Sequence, residues 1–136
     1  MKLEAEITLV APFHDLDPMG VVWHGNYLRY VELARCALLE QLGFNYDVMA
    51  ESGYAWPIID VQMRYIKPVV FKQKFIVHAK IVEWEYRLKI AYALRDAASG
   101  ERLCKGTSVQ VAVDVATREM QLNSPRVLLE KLGVAP

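Results

Sequence analysis

The sequence predicts an α+β protein in which an antiparallel sheet wraps around one long helix. Three observations carry this expectation: an alternating segment at the start, one strong helical pattern after it, and strand-period alternation over most of the remainder. Leu3, Ala5, Ile7 and Leu9 alternate with Glu4, Glu6 and Thr8, giving a first strand with one apolar face. Tyr27, Tyr30, Val31, Ala34, Ala37 and Leu38 then recur at helical spacing, with Asn26 placed as an N-cap and Gly43 as a C-terminal stop. A helix of about four to five turns therefore begins shortly after Asp17.

Residues 45–55 form a polar, glycine-containing connection with room for a short helical turn. Trp56 to Tyr65 reads as a strand that Lys67-Pro68 ends. Phe75, Val77, Ala79 and Ile81 alternate, as do Leu88, Ile90, Tyr92 and Leu94. Asp96-Ala97-Ala98-Ser99-Gly100 is a turn, and Leu103 to Val115 gives a further alternating run. Ser124-Pro125 opens a short helix over Arg126 to Leu132, stopped by Gly133. The expected order is one strand, the long helix, then four strands in a meander, in a single domain spanning residues 1–136.

A chain of 136 residues, 54% of them hydrophobic, is long enough for a core yet small for an enzyme that must enclose a large substrate. Sixteen basic and sixteen acidic residues cancel, so nothing in the charge points to nucleic acid or an anionic membrane. No stretch approaches the roughly 18 apolar residues of a membrane span, and the opening residues lack the apolar core of a signal peptide. A cytoplasmic location without membrane insertion is expected. Cys36 falls in the helix and Cys104 in a strand, without Cys-x-x-Cys or matched histidine spacing. Both are read as buried thiols, with neither a metal site nor a disulfide framework.

Reactive chemistry concentrates in Asp15-Leu16-Asp17-Pro18-Met19-Gly20-Val21-Val22-Trp23-His24-Gly25-Asn26-Tyr27. Pro18 fixes its φ and Gly20 permits a turn that other residues resist, so the chain bends sharply after Asp17. The helix that follows presents free N–H groups and the positive end of its dipole, which favour an anion or a polarised carbonyl oxygen. A carboxylate beside such a site suits acyl transfer: one group attacks or activates water, the other stabilises the oxyanion. An aspartate ahead of a helix is also a common turn former, and that reading competes for the same residue.

The segment resembles the active-site signature of hotdog-fold acyl-CoA thioesterases of the 4-hydroxybenzoyl-CoA thioesterase type, roughly Asp-x-Asp-x-x-Gly-x-Val-aromatic/His-x-x-Asn-aromatic. The resemblance extends over nearly the whole chain and is nearest to a bacterial subgroup. It implies a hotdog fold, a five-stranded antiparallel sheet around one central helix with a short C-terminal helix, and assembly into a homodimer or homotetramer. It also implies hydrolysis of an acyl-CoA or acyl-carrier-protein thioester, with no cofactor beyond the coenzyme A of the substrate.

By that resemblance Asp17 is the catalytic carboxylate, as nucleophile or as general base. His24 is the second catalytic candidate, through the backbone N–H that polarises the thioester carbonyl or through its ring. Asp15 orders the loop or acts on Asp17 as a like charge. Trp23, Asn26 and Tyr27 fall on the substrate side, Asn26 chiefly as a cap and Tyr27 as core or pocket wall. Arg87 and Lys89 fall where related enzymes present cations to the coenzyme; their plainer reading is a solvated hairpin pair. Trp56, Trp84, Met63 and Tyr54 are candidates for an acyl tunnel, although aromatic and Met residues at strand spacing are more often core. Tyr65-Ile66-Lys67-Pro68 matches a Tyr-x-x-Pro element of the family, although Val69, Val70, Phe71 and Lys72 depart from what usually follows. Two other functions fit a hotdog chain: a non-catalytic acyl-thioester-binding module, and a dehydratase, whose His-x-Asp-x-Asn-type signature is absent here.

Overall fold

Period-two alternation over Lys74–Glu83 and Leu88–Asp96 turns one apolar face of each strand into the core shared with the long helix. The computed structural model describes residues 3–135. Its elements are β1 (Glu4–Val10), α1 (Asn26–Gln41), α2 (Tyr46–Glu51), β2 (Tyr54–Ala55), β3 (Ile58–Tyr65), β4 (Lys74–Glu83), β5 (Leu88–Asp96), β6 (Arg102–Gln110), β7 (Val113–Asp114) and α3 (Arg126–Leu132). Tyr27, Tyr30, Val31, Ala34 and Leu38 of α1 are buried against Phe75, Val77 and Ile81 of β4 and Leu88, Ile90 and Leu94 of β5. Gly43, at φ 71°, ends the long helix, and Phe44 N–H then turns back to Leu39 O (2.8 Å).

The sheet is five-stranded and antiparallel, in the order β1-β4-β5-β6-β3. The expected five strands and long helix are present, but the four later strands do not form a simple meander. Only β4, β5 and β6 do; β3 lies at the far edge, paired to β6. Residues 66–73 carry the chain from that edge back to β1, where Ala11 N–H donates to Gln73 O (3.0 Å) and Lys72 N–H to Ala11 O (3.0 Å). Alternation marks a strand and its inward face, not its neighbour. The run from Leu103 to Val115 also divides: β6 ends at Gln110, and β7 pairs instead with β2 in a separate two-stranded ladder. Cys104 is buried as expected, whereas Cys36 is exposed on the outward side of α1, because the helical stripe that meets the sheet passes it by.

Gly106 marks the tightest contact between β6 and β3. A Cβ there lies 2.4 Å from the Gln62 carbonyl oxygen and 2.4 Å from Met63 Sδ. Backbone cannot yield as a side-chain tip can, so Gly106→Ala is expected to destabilise the protein by about 1–3 kcal/mol, read as a lower midpoint in urea unfolding.

Candidate functional site

Backbone pairing shapes the segment between β1 and α1 before any side-chain chemistry. Asp17 N–H donates to Val21 O (2.8 Å) and Gly20 N–H to Asp17 O (3.0 Å), with Gly20 at φ 79°. A bridge between Leu16 and Val22 closes this small hairpin, so Asp17 begins its tip. Its Oδ1 accepts Met19 N–H (2.8 Å), the turn-forming contact expected of an aspartate here. Val22 N–H donates to Val69 O (2.8 Å), and Val69 N–H donates to the Tyr27 hydroxyl (3.2 Å), which fixes the hairpin and the first turn of α1 to the segment after β3. Tyr27 is core, 2% exposed.

Asp15 anchors the hairpin from inside. It is 3% exposed, and its carboxylate accepts the Tyr30 hydroxyl (2.6 Å) and Arg29 Nη1 (3.3 Å). Its carbonyl accepts Trp23 N–H (2.9 Å) and Asn26 Nδ2 (2.9 Å). Asn26 is therefore not the N-cap. Gly25 holds that position, and the Asn26 side chain is spent on Asp15 and, through Oδ1, on Arg29 Nη1 (3.2 Å). Gly25 lies under the Trp23 ring: a Cβ there would meet it at 2.3 Å, so a larger residue would have to displace that half-exposed side chain.

At the mouth of the helix, His24 and Gly25 donate their backbone N–H groups to no other group among the described residues. The His24 carbonyl accepts the Tyr65 hydroxyl (3.1 Å) and Tyr27 N–H (3.4 Å), so this turn is held from its oxygen side while the amides stay open. The His24 ring is exposed and lies between Trp23 (centroids 5.2 Å apart) and Tyr65 (6.2 Å). Trp23, His24 and Tyr27 thus meet at the Tyr65 end of β3, with Asn26 held beside them through Asp15 and Asp17 in the hairpin that precedes them. Arg29, Tyr30, Tyr65 and Val69, which complete the setting, carried no functional signal in the sequence beyond helical spacing and the Tyr-x-x-Pro element.

Arg87 and Lys89 are not brought to that end within one chain. They lie at the β4–β5 turn, level with Ile58 and Gln110, while the His24 turn at the start of α1 meets Tyr65, roughly 23 Å away along β3. Arg87 Nε pairs with Glu83 (2.7 Å), and the two exposed groups shift each other in the usual directions, the carboxyl down and the guanidinium up. At the same end, a groove of about 810 Å³ opens between α1, α2 and the β2–β7 ladder, with Arg35, Cys36, Leu39, Tyr54, Trp56 and Gln110 among its walls. All four tunnel candidates belong to or pack against the core, and of them Tyr54 and Trp56 also line this groove while Trp84 and Met63 do not.

Burial lifts several acidic protons together. Desolvation raises the Tyr27, Tyr65 and Tyr92 phenols, raises Tyr30 further with help from its bond to Asp15, and pushes the Cys104 thiol up to about 11. The unfolded chain gives up these protons first, near pH 9 to 10, while the folded chain still holds them. Stability is therefore fully present below that range and falls as pH rises through it. Thermal melts between neutral pH and pH 11 are expected to show a steadily falling Tm above about pH 9.

With this geometry in place, comparison with known proteins decides the family. A family model described as "Thioesterase-like superfamily" matches residues 11–132. The chain belongs to this family. As a thioesterase-like chain it is 34% identical over 103 residues to a Bacillus subtilis protein named "Putative acyl-CoA thioesterase YneP", covering 75% of this chain and 74% of that one. A crystal structure from Aquifex aeolicus, of a hypothetical protein, superposes with a TM-score of 0.80 at 25% identity over 93% of this chain and 98% of the other. The 1,4-dihydroxy-2-naphthoyl-CoA thioesterase from Synechocystis superposes with a TM-score of 0.85, covering 96% of each chain; at 17% identity it speaks for the hotdog fold alone. No helix among the described residues is long and apolar enough to cross a membrane.

Proposed function

We propose that this thioesterase-like protein hydrolyses an acyl-CoA or acyl-carrier-protein thioester to a carboxylic acid and a thiol. The observation that carries the reading is that one short segment holds Asp17 at a hydrogen-bonded turn and then runs into the open N–H groups of His24 and Gly25 at the start of α1. Oδ1 of Asp17 holds the turn, which leaves Oδ2 for chemistry. It attacks the thioester carbon or takes a proton from the attacking water. Negative charge then gathers on the carbonyl oxygen, where the amides and the helix dipole stabilise it. Collapse of the adduct expels the thiolate, which takes up a proton; an acyl-aspartate, where formed, is cleaved by water to the acid and free Asp17. The steps need water and no further cofactor.

The active unit in this reading is a homodimer. The β1 edge carries Glu4 and Glu6, which discourage pairing, whereas β3 exposes Ile58, Ile59, Val61 and Tyr65. Two β3 edges paired antiparallel about a twofold axis set the Tyr65 end of one against the Ile58 end of its partner. Asp17 of one protomer then faces the groove, Arg87 and Lys89 of the other, which supplies the acyl chamber and cations for the coenzyme phosphates that one chain keeps apart. A further twofold would give a homotetramer.

A non-catalytic binding module is favoured by one observation, the use of Asp17 Oδ1 within its own turn. Thiol release from a panel of aliphatic and aryl acyl-CoAs and acyl-carrier protein separates the two. Turnover is expected with at least one member, and binding without turnover across the panel would favour the module.

A further inference from the structure

The groove between α1, α2 and the β2–β7 ladder has mostly apolar walls, and three polar atoms of residues lining it are buried without partners. Gln110 is 3% exposed and Trp56 8%. Gln110 Nε2 donates to the Trp56 carbonyl (2.8 Å), which leaves Gln110 Oε1 unpaired, and Trp56 Nε1 is unpaired as well. Arg35 holds Glu32 through Nη2 while Nη1 has no partner. Four such buried side-chain atoms occur among the described residues, and three belong to residues lining this one groove. Buried polar atoms are ordinarily satisfied, so a cluster of orphans beside a cavity points to something that completes it.

We propose that Arg35, Trp56 and Gln110 form a polar floor of the acyl chamber and select acyl groups that carry a hydroxyl. The proposal rests on the thioesterase reading above. Two of the atoms donate and one accepts, which matches a group that both accepts and donates, as a hydroxyl does and a keto oxygen does not. A carboxylate is disfavoured because Glu32, Glu40 and Asp47 line the groove against the single cation of Arg35. Side chains at the floor must open slightly to admit the group, and its hydrogen bonds compensate. A plain alkyl chain fits the walls but leaves the floor unpaired, and sites built around such bonds reject substrates that lack them.

The test compares kcat/KM for dodecanoyl-CoA with a set of dodecanoyl-CoAs bearing a hydroxyl at successive positions, on the full chain. At least one hydroxylated member is expected to be preferred by about tenfold or more. In Trp56→Phe, which removes Nε1 and keeps a ring, that preference is expected to shrink to within about threefold. Arg35→Gln serves as the second variant should Trp56→Phe fail to fold, with the same loss expected. Equal kcat/KM across the set, or a preference that survives both variants, would overturn the floor. Calorimetric binding of the matching hydrolysis-resistant thioethers keeps the two readings apart. Tighter binding of a hydroxylated thioether without any turnover supports the floor while removing the hydrolase, and turnover with no discrimination overturns the floor alone.

Discussion

Asp17→Asn is expected to lower kcat for thioester hydrolysis by about 10²- to 10⁴-fold while KM changes little. The substitution is nearly isosteric. Its amide oxygen still accepts Met19 N–H, so the Asp17–Gly20 turn and the amides of His24 and Gly25 keep their places. What disappears is the carboxylate oxygen able to attack carbon or accept a proton from water. In the proposed homodimer, binding comes from the groove and from the cations of the partner protomer, which the substitution does not touch. Initial rates of thiol release, with melts of both proteins as a control for folding, check the expectation. An equal loss through KM alone would assign Asp17 to binding.

Asp15→Ala acts on stability first. The variant leaves the Tyr30 hydroxyl buried beside an empty space, having lost a 2.6 Å bond to a charged acceptor, and is expected to cost about 3 kcal/mol. Arg29 adds little, because its side chain is 65% exposed and keeps its bond to Asn26 Oδ1. Asp15→Asn retains an acceptor for Tyr30 and is expected to lose roughly half as much. Activity falls in both, since the side-chain anchor to Tyr30 holds in place the residue 15 carbonyl that orders Trp23 and Asn26 and thereby the start of α1. Urea unfolding and thiol release measured on the same preparations test whether the two losses track together.

These two aspartates show what a sequence can and cannot carry. Helical spacing from Tyr27 to Leu38 and the glycines at positions 20, 43, 100 and 133, all at positive φ, were readable because each is a local requirement of the backbone. The sharp bend after Asp17 was readable for the same reason, whereas the small hairpin it closes, through Leu16 and Val22, was not. Strand β3 was legible as a strand, but its place at the sheet edge was not, since its partner β6 is some forty residues away and alternation names no partner. Asn26 looked like a cap because local preference ranks it so; a contact eleven residues back, to Asp15, took its side chain instead. The separation of Arg87 and Lys89 from Asp17 is likewise a consequence of register, invisible until β3, β5 and β6 are aligned.

The central claim is that Asp17 performs thioester hydrolysis at the start of α1. The most direct measurement pairs thiol release from the best acyl-CoA substrate with equilibrium binding of its unreactive thioether analogue, on wild type and Asp17→Asn. The account predicts that turnover falls by about a hundredfold or more while the analogue binds within about threefold of wild type. Turnover unchanged by the substitution, with binding equally unchanged, would contradict it and leave Asp17 as a turn former.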